Sequence, residues 1–314
     1  MLYLKIYTII NIENKKNILK KYTLITLMFL FLSSVVLFTS CTSEKYKKTL
    51  NSAQINTPDI LTAGTLKVGV NSSSAPLATN SSDIQGIDVD VASAIAEALG
   101  LKVEIVDVGS NLDSALANKK VDMVMGVFRG SSTGDFTKTD DYISSSPVLF
   151  SNNSSASVPT NSQKYKISTS LASNSATLVI NQFPNSELKT VSELKEAFSL
   201  LASGSVDFVA ADSIIGTYCA NSAGCDAYIT AGLSSASGYC IGIPKSSTTL
   251  AQQVNTCLST LKSNGVIDVI IKKWLGKTVD VSNIPLTATA SNQASQDDLN
   301  KAVSGKIDGS SITN

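Results

Sequence analysis

The chain has 314 residues, with 25 basic side chains against 25 acidic ones and no histidine. Without histidine there can be no Ser–His–Asp triad, no imidazole metal ligand and no histidine pH switch. The first 40 residues hold five lysines and one acid, Glu13, so the remainder is acidic on balance, which argues against a nucleic-acid partner.

Lys15, Lys16, Lys20 and Lys21 precede an apolar run, Thr23–Phe38, the order found in a secretory signal over residues 1–40. Leu37-Phe38-Thr39-Ser40-Cys41 resembles a bacterial lipobox, with Phe38 departing from the usual residue three before the cysteine. The resemblance implies cleavage before Cys41 and diacylation of its thiol, and two acyl chains hold a protein stably on a membrane. The alternative is a single-pass signal anchor, since the run is marginally long enough to span. Residues 41–57 are polar, with few aliphatic side chains, and read as a flexible tether.

Leu66–Val70 predicts a short strand, followed by a polar loop at Asn71–Ser74. After Gly86-Ile87-Asp88, residues Ala92, Ile95, Ala96 and Leu99 share one helix face, and Gly100 suits the helix end. Leu101–Val108 alternates as a strand, Leu112–Asn118 reads as a helix, and an apolar strand follows. Strand, helix, strand, helix, strand is the order of a doubly wound sheet.

Leu116–Val127 (LANKKVDMVMGV) has an echo in Leu201–Asp212 (LASGSVDFVAAD). Each runs Leu-Ala, three turn residues, Val-Asp, then a near-continuous apolar strand of the kind buried in parallel sheets. The repeat suits either two ordinary units of one sheet or two similar lobes, each offering a strand edge to a shared cleft. Ligands of open parallel sheets bind at the carboxyl ends of the strands. The second copy ends there on Asp212, and the first runs into Arg129, the only arginine of the chain.

Beyond Cys41 stand Cys219, Cys225, Cys240 and Cys257. An even number outside the cytosol predicts disulfides. The short loop between Cys219 and Cys225 favours that pair, leaving Cys240 with Cys257. No C-x₂-C spacing supports zinc, and neither a metal nor another cofactor is expected.

Several segments together resemble the family 3 solute-binding proteins, which serve ABC importers of polar amino acids. GTLKVGV, GIDVDVASAIAEALGLKVEIV and LANKKVDMVMGV match its first lobe. YKISTSLASNSA, LASGSVDFVAAD and GYCIGIPKSSTTLAQQVNTCLSTLKSNGVIDVIIKKWLGK continue in the family's order, over about Ile60 to Lys277. The resemblance implies two doubly wound α/β lobes joined by two hinge strands, the type II periplasmic-binding-protein arrangement. The hinge strands would be about Ser146–Ser151 going out and Tyr239–Pro244 returning. Lobe 1 would span residues 58–150 and 244–277, lobe 2 residues 151–243, and residues 278–314 a mostly disordered tail with at most a turn or two of helix at Asp297–Val303.

The resemblance also implies an extracytoplasmic, monomeric, non-enzymatic receptor. It would hold an amino acid or similar small zwitterion between the lobes and pass it to a permease and its ATPase. Asp212 stands at the position that accepts the ligand's ammonium group, although an aspartate there also suits a plain helix cap. The usual carboxylate-binding arginine is replaced by Gly134. Arg129 lies toward the strand end and offers a planar fork to the same carboxylate, or else serves the fold. Gly126 and Val127 would line the ligand at that strand. Ser74 and Gly109 replace the family's pocket aromatics, Asn71 replaces an acid, and Leu171 replaces a basic or amide residue. Ser173, Asn174 and Ser175 form an anion site at a helix start or an ordinary cap. A sensor or surface protein that kept the fold, or a dehydratase-like enzyme, are the competing readings.

Overall fold

The computed structural model describes residues 52–131 and 134–297. The signal, Cys41 and the end of the tail lie outside them. The chain joins the fold earlier than its composition suggests. The Gln54 amide donates to the Leu99 carbonyl at 3.0 Å, and Ile55 is buried in the first core. The expected tether therefore ends before Gln54, because Ile55 gains more by burial than a solvated linker residue would.

Two sheets carry the fold. The first contains β1 (Thr65–Val70), β5 (Lys102–Asp107), β6 (Met123–Phe128), β7 (Phe136–Lys138), β8 (Ile143–Ser145) and β14 (Ser237–Pro244). Its order is β5-β1-β6-β14-β7, with β8 also on β14. The second contains β9 (Pro147–Ser151), β10 (Lys166–Ser170), β11 (Glu187–Val191), β12 (Phe208–Asp212) and β13 (Tyr228–Gly232), in the order β11-β10-β12-β9-β13. Three short strands, β2 (Ser73–Ser74), β3 (Ala78–Asn80) and β4 (Ile84–Gln85), form a small sheet on the loop after β1.

Helices α1 (Ile87–Ala98), α2 (Leu112–Ala117), α6 (Thr248–Ser263) and α7 (Val266–Leu275) cover the first sheet. Helices α3 (Asn174–Gln182), α4 (Leu194–Ala202) and α5 (Ser213–Ser222) cover the second. Val91, Ala92, Ile95, Ala96 and Leu99 form the buried stripe of α1, as the helical spacing predicts. Asp90 fastens α7 to this helix by accepting from Lys273 Nζ and Trp274 Nε1, each at 2.7 Å.

The echo is structural as well as sequential. Lys119 and Gly204 both take left-handed backbone, at φ 51° and 69°. Their amides close the same helix-ending turn, onto Leu116 and Leu201, each at 3.0 Å. The following aspartates then do the same work. Asp122 Oδ2 accepts from the Lys67 amide at 2.7 Å, and Asp207 Oδ2 from the Lys166 amide at 2.8 Å. Each aspartate thus pins the start of the parallel strand beside its own, β1 in the first sheet and β10 in the second.

Two crossings join the sheets. The outgoing one lies between Ser145 and Pro147, the returning one between Gly232 and Ser237. In each sheet an antiparallel strand enters beside the end of a parallel one: Pro147 stands opposite Asp212, and Tyr239 opposite Phe128. The carboxyl ends of both sets of parallel strands therefore face one another across the crossings. The expected lobe limits at 150 and 244 move accordingly. Pro147–Ser151 pairs in the second sheet and Ser237–Pro244 in the first, because strand pairing rather than chain position decides membership.

The tail is also more ordered than its weak apolar pattern predicts. Residues 278–297 are described; Val281 and Ala290 are buried, and a helix, α8, runs over 288–297. Few apolar side chains suffice here because main-chain pairing with β13 does much of the work.

The paired aspartates separate by burial. Asp122 is buried and also accepts from the Leu61 amide at 2.7 Å, whereas Asp207 is exposed. Asp122→Ala is expected to cost about 2–3 kcal/mol, and Asp207→Ala about 1 kcal/mol or less. Urea unfolding of both variants checks the order.

Candidate functional site

The site is built where the two strand-end edges meet. Asp212 closes β12 and caps α5: its Oδ1 accepts from the Ile214 and Ile215 amides at 3.0 and 3.1 Å. Its Oδ2 accepts from Ser145 Oγ at 2.5 Å, and the Tyr239 hydroxyl is a further partner. Burial raises the pKa of this carboxyl, and these hydrogen bonds oppose the rise. The cap expected of Asp212 is thus present, and the same carboxyl stands at the joint between the sheets.

A ring of serines surrounds it. Ser145 Oγ and Ser213 Oγ lie 3.0 Å apart, and the Ser213 amide donates to the Ser146 carbonyl at 2.9 Å. Ser146 Oγ donates to the Ser234 carbonyl at 3.0 Å on the returning crossing. Ser145, Ser146 and Ser213 are all buried. The Ser146 and Ser213 hydroxyls pair main-chain groups, the Ser234 carbonyl and the Ser146 amide, that would otherwise lie unpaired away from water, while Ser145 serves Asp212.

A fully buried carboxyl stands on the first-sheet side, whereas Asp212 is half-buried. Asp88, in the first turn of α1, accepts from the Tyr142 hydroxyl at 2.5 Å, and that hydroxyl accepts from the Gly126 amide at 3.1 Å. Gly126 has φ 73°, and a Cβ there would stand 3.0 Å from Asp88 Oδ2. Glycine is needed at this position for both reasons. Burial pushes the Asp88 carboxyl up to about 7, against the lowering effect of the Tyr142 hydrogen bond. Burial likewise raises both Tyr142 and Tyr239 well above the ordinary phenol range, and Asp88 adds to each rise. Tyr239 also packs edge-on against Phe128, with ring centroids 5.7 Å apart.

Arg129 is placed differently from a free fork. Its Nε donates to Asp141 Oδ1 at 2.6 Å and its Nη2 to the Thr139 carbonyl. The guanidinium holds together the turn between β6 and β8 within its own sheet. Gly134 has φ 108°, and a Cβ there would meet the Phe136 ring at 1.9 Å. An arginine at that position is therefore not compatible with this backbone. Neighbouring Ser132 and Thr133 lie outside the described residues.

The remaining expected contacts divide by role. Asn71 Oδ1 accepts from the Ser73 amide at 3.1 Å, and the Ser74 carbonyl accepts from Leu77, so this loop holds its own shape. Val127 is buried, and its carbonyl accepts from Cys240 Sγ at 3.3 Å. Ser173 Oγ caps α3 through the Ala176 amide at 3.1 Å; Asn174 is exposed and Ser175 buried. Leu171, just before this cap, is 67 % exposed.

The expected disulfides are absent: Cys219, Cys225, Cys240 and Cys257 are free thiols. Cys240 and Cys257 belong to different apolar clusters, and burial raises every one of these thiols, Cys219 to about 11. Among the described residues no group of three or more acids or cysteines could hold a metal, and no helix is long and apolar enough to cross a membrane.

Sequence reasoning did not single out Asp88, Tyr142, Ser145 or Tyr239. The available signal was weak: an acid in the first turn of an apolar helix, and hydroxyl residues inside apolar strands.

Two α/β lobes on paired crossings, with a carboxylate and a helix start at the joint, define a hinged ligand-binding protein. The profile of the bacterial extracellular solute-binding proteins, family 3, matches residues 66–277, and the chain belongs to that family. It is 25 % identical over 224 residues to the L-cystine-binding protein TcyA of Bacillus subtilis (strain 168), covering 69 % of this chain and 83 % of that protein. An ancestral cationic amino acid solute-binding protein superposes with TM-score 0.60 at 25 % identity, over 68 % of this chain and 96 % of that one. The unliganded, open L-cystine solute receptor of Neisseria gonorrhoeae superposes with TM-score 0.61 at 23 % identity, over 69 % and 95 %, and so shares the fold.

The raised Asp88 pKa has a pH signature. The folded carboxyl keeps its proton up to about pH 7, while the unfolded one loses it near 3.8. Its contribution to stability is fully present below pH 3.8 and is lost as pH rises toward 7. Wild type should therefore lose stability relative to Asp88→Asn between pH 5 and 8, by more than ~1 kcal/mol. Parallel urea-unfolding profiles for the two proteins would show that the carboxyl does not titrate there.

Proposed function

We propose that this protein captures an amino acid or similar small zwitterion between its lobes outside the cytoplasm and delivers it to an ABC permease and its ATPase. The observation that carries this reading is the Asp212 carboxylate at the joint of two facing strand-end edges. An ammonium group brings the positive charge that this half-buried carboxyl lacks, and so favours its charged form. The Ser145 and Tyr239 hydroxyls around it have lone pairs of their own to turn toward the same ammonium.

The ligand's carboxylate rests on the start of α3, at Ser173, Asn174 and Ser175, where helix amides favour an anion. This helix start and Asp212 follow adjacent parallel strands, β10 and β12. Arg129 serves the β6–β8 turn through Asp141 and contributes little to affinity. Asn71, Ser74, Gly126 and Val127 shape the first-lobe wall, and exposed Leu171 adds an apolar lip. Ligand contacts made by both lobes favour the closed state, which docks on the permease.

The similarity to the L-cystine-binding and ancestral cationic amino acid proteins chooses the first ligands to try. A thermal-shift panel should start with L-cystine, L-arginine and L-lysine, followed by the other amino acids. A ligand present at 100 times its Kd adds ~2.7 kcal/mol of stability. With any hit, Asp212→Asn should weaken binding about ten- to a hundredfold, and Arg129→Ala by less than about threefold, in calorimetry. The opposite order would return the carboxylate to Arg129. No shift with any amino acid would sink the ligand class.

Anchoring is the second part of the proposal and rests on the lipobox-like residues ahead of Cys41. Wild-type protein expressed in a bacterial host should incorporate labelled palmitate and partition into detergent. Cys41→Ser should do neither and should keep its unprocessed leader.

A further inference from the structure

The family match ends at residue 277, yet the chain continues as ordered structure to 297. This extension leaves α7, which is fastened to α1 through Asp90 and to α5 through the bond from Asn221 Nδ2 to the Leu275 carbonyl, 2.8 Å. Ile284 packs on the α4–α5 core of the second lobe. The chain then adds itself to the free edge of β13. The Gly232 amide donates to the Pro285 carbonyl at 2.9 Å, the Thr287 amide donates to the Gly232 carbonyl at 3.0 Å, and Leu286 bridges Gly232 in parallel. Leu286 packs close on Gly232, where a Cβ would meet Leu286 Cδ2 at 2.7 Å.

A buried polar lock follows. Thr287 Oγ1 donates to Gln182 Oε1 at 2.5 Å, and Gln182 Nε2 donates to the Leu233 carbonyl at 2.7 Å. Thr287 and Gln182 are both buried. The Leu233 amide is taken by the Pro147 carbonyl at 2.9 Å. Both main-chain groups of Gly232 and of Leu233 are therefore occupied, and Ser234 is held through its carbonyl by Ser146. Only Ser235 and Ala236, both exposed, remain before β14 begins.

We infer that residues 281–297 form a strap that fixes the base of the returning crossing and confines hinge bending there to Ser235 and Ala236. Covering an edge strand protects it from stray pairing. This strap does more than that, because its polar lock is aimed at Leu233, the residue from which the crossing departs. The inference goes beyond the receptor reading and holds whatever the ligand is.

The test is hydrogen exchange on the ligand-free full chain, on a chain ending at Asn283, and on Thr287→Val. Exchange measures the opening of each segment separately. Truncation should speed exchange across residues 229–238 by about tenfold or more, and Thr287→Val by about threefold, with β10 and β12 unchanged. Wild-type exchange at 229–238 in the truncated chain would overturn the inference. If truncation instead loosens the whole second sheet, Thr287→Val decides. Faster exchange confined to 229–238 sustains the strap, and no change there rejects it in favour of simple edge cover.

Discussion

Everything about the site depends on the hydrogen-bonded knot of Asp212, Ser145, Ser213 and Ser146 where the chain passes between sheets. An irregular crossing in a buried place leaves main-chain groups that neither sheet can pair. Leaving one such group unsatisfied costs about 1–3 kcal/mol. Serine answers this with a hydroxyl that both donates and accepts and with little volume, so the two sheets can approach closely. Asp212 adds a fixed acceptor that binds the start of α5 and the outgoing crossing at once. The carboxylate that marks the site is thus also part of what holds the lobes in register.

Two carboxyls, buried Asp88 and half-buried Asp212, flank the joint. Asp88 lies on the first-lobe side with Tyr142, and Asp212 on the second-lobe side with Ser145 and Tyr239. Tyr239 is on the returning strand, and Asp88 is near enough to raise its pKa further. Low dielectric makes each of these hydrogen bonds stronger and each unpaired charge more costly.

Departures from the family pattern are local and mutually consistent. Gly134 takes a backbone conformation that side chains avoid and lies against Phe136. Arg129 neutralises Asp141 and holds the turn that leads toward the outgoing crossing. Both features bear on one short region of the first lobe, where Arg129 serves the turn through Asp141 and Thr139. The second lobe keeps its Asp212 and its α3 cap.

The alternation and helical spacing of the chain were enough to determine the α/β class, the α1 core face and the two equivalent units, because these are local patterns of burial. The Val-Asp echo marked the equivalent units, while the strand clamps made by Asp122 and Asp207 emerged only in the fold. Local pattern carries no information about which distant strand pairs with which. The positions of the crossings, the partner of Arg129 and the docking of residues 278–297 were therefore decided by tertiary structure. The thiols show the same division: their number suggested bridges, while burial in separate clusters kept Cys240 and Cys257 apart. Asp88 is the clearest case, since an acid in the first turn of a helix suits its dipole anywhere, and only packing against Tyr142 and Gly126 turns it into a carboxyl that titrates near neutrality.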